Sequence, residues 1–225
     1  MKRIVQPEWL DSLPVNDPRA IGSRRDLVRV NGCMGNPKIM SDVLPQAMNG
    51  STKIIELGAG DGRFLLSVGR RLVQRPMTAT LLDLQNNVSR ETVDDFTAMG
   101  WNTEVVVADV FDWLNLPGAG GLVTANLFLH HFENERLTEL LGLIAARAES
   151  FIAVEPRRAA WPLFCSHWLW GIGCNEVTRH DAVISVKAGF SGDELTKLWP
   201  EKSGWRITER PAGAFSHLFV AQKIH

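Results

Sequence analysis

Short apolar runs alternate with longer amphipathic stretches through the middle of the chain. The runs cover residues 53–57, 78–84, 103–108, 121–128 and 151–154. They are apolar almost without interruption, which is typical of strands buried on both faces of a parallel sheet. Strands that alternate with helical stretches indicate βαβ units. The pattern therefore predicts an α/β fold built on a parallel sheet.

Helical spacing of apolar residues predicts the helices between these strands. They cover residues 64–75, 86–99 and 134–148, and Pro76 and Gly100 are the stop signals of the first two. The stretch before the first strand predicts two more helices. Their start signals are the pairs Asp17-Pro18 and Asn36-Pro37, and Asn49-Gly50 ends the second one.

The C-terminal part of the chain predicts an antiparallel hairpin. Its strands cover residues 205–210 and 215–222, with Pro-Ala-Gly between them. Ser191 and Glu194 stand in the S-x-x-E order of a capping box and predict a helix just before the hairpin. Together with the five earlier strands, the hairpin gives a seven-stranded mixed sheet with helices on both faces.

These elements divide the chain into four segments. We expect a helical arm over residues 1–50, a βα core over 51–155, an aromatic-rich insert over 156–190, and a C-terminal helix and hairpin over 191–225 that complete the sheet. The insert interrupts the βα alternation and holds three of the eight tryptophans, while the chain has no tyrosine.

Composition and charge narrow the range of functions. The chain has 225 residues, enough for a buried core without disulfides, and a net charge of −1. The charge balance lacks the basic excess of nucleic-acid-binding proteins. No apolar run approaches the roughly 18 residues of a membrane span, and no apolar signal core follows the N-terminal residues. The sequence therefore predicts a cytoplasmic domain without nucleic-acid partners.

The cysteines support the same view. Three cysteines, at 33, 165 and 174, are widely spaced and odd in number, which argues against a disulfide framework and suits a reducing cytoplasm. No CxxC pair and no Cys/His spacing typical of a metal site is present. We therefore expect no metal.

The strongest local signal is a glycine-rich turn at the end of the first predicted strand. The sequence from Glu56 to Gly62 reads ELGAGDG and opens a helix. Glycine lets the backbone approach a ligand closely, and the amides at a helix start offer donors. Its glycines follow at two-residue steps, and Arg63 stands where the dinucleotide fingerprint has its third glycine. The turn also lacks the GK[ST] of triphosphate-binding loops.

Acidic residues stand at or near the ends of the first three predicted strands. They are Glu56 in the first, Asp83 in LLDLQ of the second, and Asp109 in VVVADVF after the third. A carboxylate in an apolar strand is costly without a partner, so Glu56 needs a cation or a hydrogen-bond donor. The carboxyl ends of parallel strands form the ligand crevice of such sheets. The three acids are therefore expected to face one ligand, although isolated surface acids are the alternative.

These motifs resemble the class I S-adenosylmethionine-dependent methyltransferases, whose fold is Rossmann-like. The resemblance covers residues 53–155 and includes ELGAGDG, LLDL, ADVF and ANLFLHHF; the last is similar to the small-molecule branch that acts in quinone biosynthesis and natural-product tailoring. It implies that S-adenosylmethionine is the cofactor and that the arm and the aromatic insert act as lids. The residues that it implies for cofactor binding are Glu56, Gly58, Ala59, Gly60, Asp61, Asp83, Leu84, Asp109, Val110, Asn126 and Leu127.

The resemblance also assigns roles to individual residues. Glu56 would orient the loop and the cofactor ammonium, Asp83 would bind the ribose hydroxyls, and Asp109 with Val110 would hold the adenine edge. Asn126 and Leu127 would line the methionine end. These roles agree with the chemistry of the cofactor, since a carboxylate can accept two hydroxyl protons and an ammonium requires acceptors.

Histidines are the candidates for the catalytic base. A methyl on a sulfonium is already activated, so the enzyme has to align an acceptor, exclude water and remove the proton of a hydroxyl acceptor. His130 and His131 follow the fourth strand, and Glu155 at the end of the fifth could orient an imidazole. His167 lies in the aromatic insert. The alternative is that one of the paired histidines only caps the helix that begins near Asn134.

The aromatic insert suggests the kind of acceptor. Its tryptophans, phenylalanine and leucines make a dense apolar surface, which fits a pocket for a flat, apolar substrate such as a phenol, quinol or polyketide. The alternative is a helix packed into the core.

Three other functions stay open. The first is C- or N-methylation on the same scaffold, the second an NAD-dependent oxidoreductase, and the third a catalytically silent adenosylmethionine-binding partner protein. The sequence does not indicate an oligomeric state.

Overall fold

A single seven-stranded sheet forms the centre of the computed structural model, which describes residues 1–14, 16–73, 76–117, 121–200 and 202–224. The strand order is β3-β2-β1-β4-β5-β7-β6. The strands are β1 Lys53–Leu57, β2 Met77–Asp83, β3 Trp101–Val107, β4 Leu122–Asn126, β5 Ser150–Pro156, β6 Trp205–Ala212 and β7 Ser216–Lys223.

The first five strands are parallel, and β7 joins β5 in antiparallel register with β6 at the edge. The mixed sheet and its terminal hairpin are therefore as predicted. The strand order runs from β1 to β2 in one direction and from β1 to β4 in the other, so the crossover connections diverge there. Open α/β sheets bind ligands outside the carboxyl ends of the strands at such a switch point.

Ten α-helices are present in the described parts of the chain and cover both faces of the sheet. They are α1 Trp9–Ser12, α2 Pro18–Met34, α3 Asn36–Ala47, α4 Arg63–Gly69, α5 Arg90–Ala98, α6 Val110–Asn115, α7 Asn134–Arg147, α8 Ala160–Ser166, α9 Glu176–Ala188 and α10 Glu194–Leu198. One buried apolar cluster packs α3 and α4 on the sheet, and another packs α6, α7 and α10. In the described part of the chain, no helix is long and apolar enough to cross a bilayer.

Several boundaries differ from the predicted ones for local reasons. Helix α5 begins at Arg90 rather than 86 because the Ser89 side chain accepts a hydrogen bond from Thr92 N and caps it there. Strand β4 ends at Asn126 rather than 128 because Leu127 has a positive φ of 51°. Helix α4 ends at Gly69, and the predicted helix end at residue 75 lies outside the described residues.

Four of the ten described helices were not predicted: α1, α6, α8 and α9. Helix α6 has only six residues, and Asp109 caps its start by accepting a hydrogen bond from Phe111 N at 2.7 Å. Helix α9 lies in the insert and packs against α2 through buried polar groups. Thr178 Oγ1 contacts Ser23 Oγ at 2.9 Å and Asp26 Oδ2 at 3.1 Å. A helix that buries polar residues has a weak apolar period, which is why the sequence did not reveal it.

The first 14 residues of the predicted arm, which we call the N-terminal arm, are bound to α9 through residues 3–10. Ile4 N donates to Lys187 O at 3.1 Å, and Trp9 N donates to the carboxylate of Asp181 at 2.9 Å. Arg3 donates to the carbonyls of Ala188 and Phe132 at 2.7 and 2.8 Å. These contacts place the arm beside the carboxyl ends of the strands, where Leu10 and Asp11 reach the cavity.

Candidate active site

A cavity of about 570 Å³ opens at the carboxyl ends of β1, β2, β3 and β4. Its size suits a cofactor-sized ligand. All the residues predicted to bind the cofactor line it, although they come from four separate strand ends. They are Glu56, Gly58, Ala59, Gly60, Asp61, Asp83, Leu84, Asp109, Val110, Asn126 and Leu127.

The glycine-rich turn has a shape that favours glycine at two positions. Gly58 and Gly60 have φ values of 67° and 56°. A Cβ on Gly58 would lie 2.3 Å from Cδ2 of Phe128, so the ring packs directly on the backbone. Asp83 Oδ2 accepts a hydrogen bond from Gly60 N at 2.8 Å, which fixes the turn against the end of β2. The loop is thus held in place by its neighbours on both sides.

Glu56 is the unusual acid of the cavity. The residue is 2% exposed, and no described group forms a hydrogen bond with its Oε2 atom. Burial raises the pKa of Glu56 well above its usual range, and the charges of Asp61 and Asp83 raise it further. Such a shift favours the neutral form of the carboxyl group, and a cation beside it would favour the charged form. Its position on the cavity wall makes it a receptor for a positive group.

The other two strand-end acids are already partly engaged. Asp83 accepts hydrogen bonds from Gly60 N and, at 2.9 Å, from Gln85 N, so each carboxylate oxygen keeps further acceptor capacity towards the cavity. Asp109 caps α6 with Oδ1. The ring of Phe111, two residues further on, also lines the cavity and offers an apolar face.

Asn126 joins an amide cluster that the sequence did not indicate. Its Oδ1 accepts from Asn36 Nδ2 at 2.9 Å, and its Nδ2 donates to Asn31 Oδ1 at 3.0 Å. Asn31 lies on α2 and lines the cavity too. The cluster attaches the N-terminal helices to the end of β4, so α2 forms one wall of the cavity.

His130 and Glu155 form a buried pair behind the cavity. Glu155 Oε2 lies 2.8 Å from His130 Nδ1, and its Oε1 accepts from the backbone N of Phe128 and of Leu129 at 3.0 and 2.9 Å. The two side chains are 3% and 0% exposed. Glu155 therefore holds the turn after β4 and the imidazole together.

Glu8 of the N-terminal arm completes this pair. Its Oε1 lies 3.3 Å from His130 Nε2 and also accepts from Ser185 Oγ on α9. Burial lowers the pKa of His130, but the hydrogen bonds with Glu155 and Glu8 outweigh it and raise this pKa to about 9. Burial likewise opposes ionisation of Glu8, yet the bond to His130 and the charge of His131 lower its pKa to about 2. His130 is thus an imidazolium between two carboxylates at neutral pH.

His131 is placed differently from His130. It lines the cavity and is 27% exposed, and its Nδ1 lies 3.5 Å from Asp11 Oδ2. Both nitrogens of His130 are engaged away from the cavity wall, whereas His131 faces the cavity. Only one histidine of the predicted pair therefore reaches the ligand space.

Glu8, His130 and His131 also bring three ligating groups together. Their nearest donor atoms lie within 4.8 Å of one another, close enough for a metal ion. No sequence motif indicates this cluster, because Glu8 lies 122 residues from His130. A cation at this position has to displace the proton that His130 holds between the two carboxylates.

The predicted catalytic His167 lies apart from this cavity. It ends α8, its Nδ1 is 2.7 Å from Leu163 O, and it borders a separate small depression with Trp9 and His180. The aromatic insert also differs from its expected role. None of its four large exposed rings, Trp161, Phe164, Trp168 and Trp170, lines the cavity.

The arm contributes site residues that sequence reasoning missed. Leu10 and Asp11 lie on the cavity wall, and Asp181 on α9 holds them there by accepting from Trp9 N and Leu10 N. No local motif marks this role, because it depends on contacts more than 170 residues apart along the chain.

No protein-family model matches this sequence, and no curated protein matches it. Solved structures do share its fold. An O-methyltransferase family protein from Burkholderia thailandensis is 21% identical, with a TM-score of 0.65 over 92% of this chain. The mitomycin 7-O-methyltransferase MmcR is 18% identical, with a TM-score of 0.61 over 96% of this chain. This chain spans 60% of the length of each of these two proteins.

A third structure has a similar length. The plantazolicin methyltransferase BamL, solved with a triazolic desmethylPZN analogue and SAH, has a TM-score of 0.64 at 10% identity; the match covers 95% of this chain and 92% of BamL. The chain therefore shares its fold with these solved structures, and the predicted Rossmann-like α/β fold is confirmed.

Proposed function

We propose that this protein is an S-adenosylmethionine-dependent methyltransferase that acts on a small, largely apolar acceptor. The observation that carries the proposal is the convergence of the predicted cofactor residues on one cavity. Among them is Glu56, whose buried Oε2 has no hydrogen-bond partner in the described part of the chain. The fold and the names of its structural neighbours support the same activity.

The cavity residues fit the cofactor group by group. Glu56 offers Oε2 to the ammonium, Asp83 has free acceptor sites for the ribose hydroxyls, and Asp109 with Val110 borders the adenine edge. Asn126 and Leu127 line the methionine end. A bound S-adenosylmethionine supplies a methyl group that its sulfonium has already activated. The protein's own task is then to position the acceptor, exclude water and take up a proton.

We propose an aromatic hydroxyl of a phenol, quinol or polyketide as the acceptor. The cavity wall formed by α2 and the arm offers the apolar side chains of Leu10, Leu27 and Val28 next to polar groups, and Phe64 of α4 also lines the cavity. Two of the neighbours are named as O-methyltransferases, and one of those acts on mitomycin. Transfer to carbon or nitrogen is the alternative on the same scaffold.

His131 is the proposed proton acceptor. It is the histidine that lines the cavity, and its Nδ1 lies 3.5 Å from Asp11 Oδ2, which can orient the imidazole. Glu155 and His130 are positioning residues, because they hold the turn after β4 from which His131 projects.

Free cysteines at 33, 165 and 174 support the expected reducing cytoplasm.

Isotope-labelled methyl transfer to a panel of phenols, quinols and aromatic polyketides tests the proposal. We expect label on oxygen, and we expect His131→Ala to lower kcat about 100-fold or more while adenosylhomocysteine binding is retained. Label on carbon or nitrogen would refute the O-methyl assignment. Tight adenosylmethionine binding without turnover on any acceptor would instead identify a silent partner protein.

A further inference from the structure

The aromatic insert presents an exposed row of large rings. Trp161, Phe164, Trp168 and Trp170 are each between 55% and 58% exposed, and Ile172 beside them is 43% exposed. We call this row the aromatic ridge. Single exposed apolar residues are common, but contiguous apolar patches on a protein surface mark interaction sites.

The rings of the ridge contact one another in sequence. Centroids of neighbouring rings lie 5.9 Å apart for Trp161 and Phe164, 6.1 Å for Phe164 and Trp168, and 5.9 Å for Trp168 and Trp170. Helix α8 buries only Pro162 and Ser166. The rings therefore support each other at the surface instead of filling the core or the cavity.

Positive charge lies beside the ridge on α2, which carries four arginines. Arg19 is paired with Asp17 and Arg29 with Asp26, so Arg24 and Arg25 are the basic excess of this helix. In the insert, Arg158 is buried and paired with Glu194. Asp26 is buried, whereas Arg19, Arg25 and Arg29 are exposed. The whole chain has a net charge of −1, so this basic excess is local.

Helix α2 and the end of the ridge are in direct contact. Arg29 Nη2 lies 3.5 Å from Gly173 O, just after Ile172. The next turn is tied to α2 as well, since Asn175 N donates to Asp26 Oδ2 at 2.7 Å and its Nδ2 donates to Arg19 O at 2.8 Å. The ridge and the exposed side of α2, with Ile21 and Val28, thus form neighbouring parts of one surface.

We propose that this surface docks the protein onto an anionic lipid bilayer. Tryptophan and phenylalanine rings insert at the boundary between headgroups and acyl chains, and arginines beside them attract anionic headgroups. The combination of an aromatic row with a local basic excess matches such a boundary in both polarity and charge. A bilayer is therefore the occupant that fits this surface.

Docking in this orientation has a consequence for the cavity. Val28 and its neighbour Leu27 on α2 also line the cavity, so one side of the docking surface is the wall of the ligand space. An apolar acceptor dissolved in the bilayer would reach the cavity along α2. Vesicle binding itself needs no turnover, so the docking and the proposed methyl transfer can fail independently.

Co-sedimentation with vesicles tests the docking. One set consists of phosphatidylcholine alone and the other of equal parts of phosphatidylcholine and phosphatidylglycerol. We expect the protein to sediment with the anionic vesicles, with a shift of its tryptophan emission to shorter wavelength. The double variant Trp168→Ser/Trp170→Ser should bind about tenfold more weakly, and Arg25→Gln about fivefold more weakly on the anionic set only.

Leu116→Ser is the matched control, because Leu116 is 57% exposed just after α6 and lies outside the ridge. It should bind vesicles like the unaltered protein, and thermal melts should show that every variant is folded. Absence of sedimentation, or equal binding by the double variant, would overturn the proposal. So would a dimer that the double variant dissolves, since the ridge would then join two copies of the chain.

Discussion

Glu56 is a buried carboxyl group, and no residue that the structure describes forms a hydrogen bond with its Oε2. Because its pKa is raised above the unfolded value, the group favours the folded state at low pH. This contribution is lost as the pH rises through the folded pKa. A cationic ligand reverses the situation, because an ammonium beside the carboxylate lowers its pKa. Binding at neutral pH is therefore expected to release a proton.

Replacing Glu56 by glutamine tests this coupling. Glu56→Gln should weaken adenosylmethionine binding about tenfold, since a hydrogen bond between two charged groups becomes one to a neutral amide. Calorimetry in buffers of different ionisation enthalpy should detect proton release with the original protein and none with the variant. Glu91→Gln, at a side chain that is 79% exposed, serves as the control and should behave like the original protein. Equal proton release from all three would refute the role of Glu56.

Gly58 is a second residue with a testable role, because its backbone conformation and its contact with Phe128 leave no space for a side chain. Its φ is 67°, and an added side-chain carbon would lie 2.3 Å from the Phe128 ring, so there is no room for alanine. Gly58→Ala should destabilise the fold by about 2 kcal/mol and weaken adenosylhomocysteine binding at least about tenfold. Thermal unfolding with and without the ligand measures both effects.

Gly142 provides a contrast within the same experiment. It lies inside α7 with nothing within 4 Å of an added Cβ, so Gly142→Ala should stabilise the protein by about 0.5–1 kcal/mol and leave ligand binding unchanged. Similar effects of the two substitutions would show that the shape of the glycine-rich turn is not what holds the ligand.

Among the elements, the N-terminal arm is the one whose placement depends on charge. Glu8, His130 and Glu155 connect it to the turn after β4. The pKa of His130 rises to about 9 from an ordinary value of 6.5, so its stabilisation is complete below about 6.5 and is lost as the pH rises through about 9. The pKa of Glu8 falls to about 2, so its contribution is lost only as the pH falls from about 4.5 towards 2.

Substitution of His130 should remove the alkaline part of this dependence. His130→Gln leaves two buried carboxylates without their cation and should cost about 3 kcal/mol at neutral pH. Urea unfolding near pH 6.5 and near pH 9 should show the original protein losing stability between the two and the variant losing much less. Glu8→Gln provides a milder variant with the same expected trend, and His167→Gln serves as the control. An unchanged pH dependence in His130→Gln would contradict the proposed stabilisation by His130 between Glu8 and Glu155.

The elements also show which features a sequence reveals. The strands and the glycine-rich turn were predicted because burial on both faces and a left-handed backbone leave local marks, as in β1 and Gly58. Helices α6 and α9 were missed because one is short and the other buries Thr178 and Asp181 instead of an apolar stripe. Local pattern carries little information about either case.

The site divides in the same way. Glu56, Asp83 and Asp109 could be grouped in advance, because parallel strands bring their carboxyl ends to one edge. Glu8, Asp11 and Asn31 could not, since their positions depend on tertiary contacts that no local motif records. The aromatic insert was expected to cover the cavity, yet its large rings lie at the outer surface. Apolar composition indicates that a segment makes contacts, but it does not indicate with which part of the molecule or with which partner.

For the molecule as a whole, the parts combine into one cavity with two kinds of wall. The strand ends supply the acidic and amide groups proposed to bind the cofactor, while α2 and the arm supply the apolar Leu10, Leu27 and Val28 proposed to contact an acceptor. The same helix α2 reaches the basic and aromatic outer surface. Cofactor, acceptor and bilayer would thus be arranged around α2, which polar contacts attach to both α9 and β4.

The binding of the cofactor is the central claim, and a comparison of two ligands tests it most directly. Thermal unfolding is measured for the same protein alone, with adenosylhomocysteine and with NADH, because a ligand that binds only the folded state raises the unfolding temperature. We expect a rise with adenosylhomocysteine that grows with its concentration and is reduced in Glu56→Gln, and no rise with NADH. A rise with NADH and none with adenosylhomocysteine would contradict the assignment and would favour an oxidoreductase.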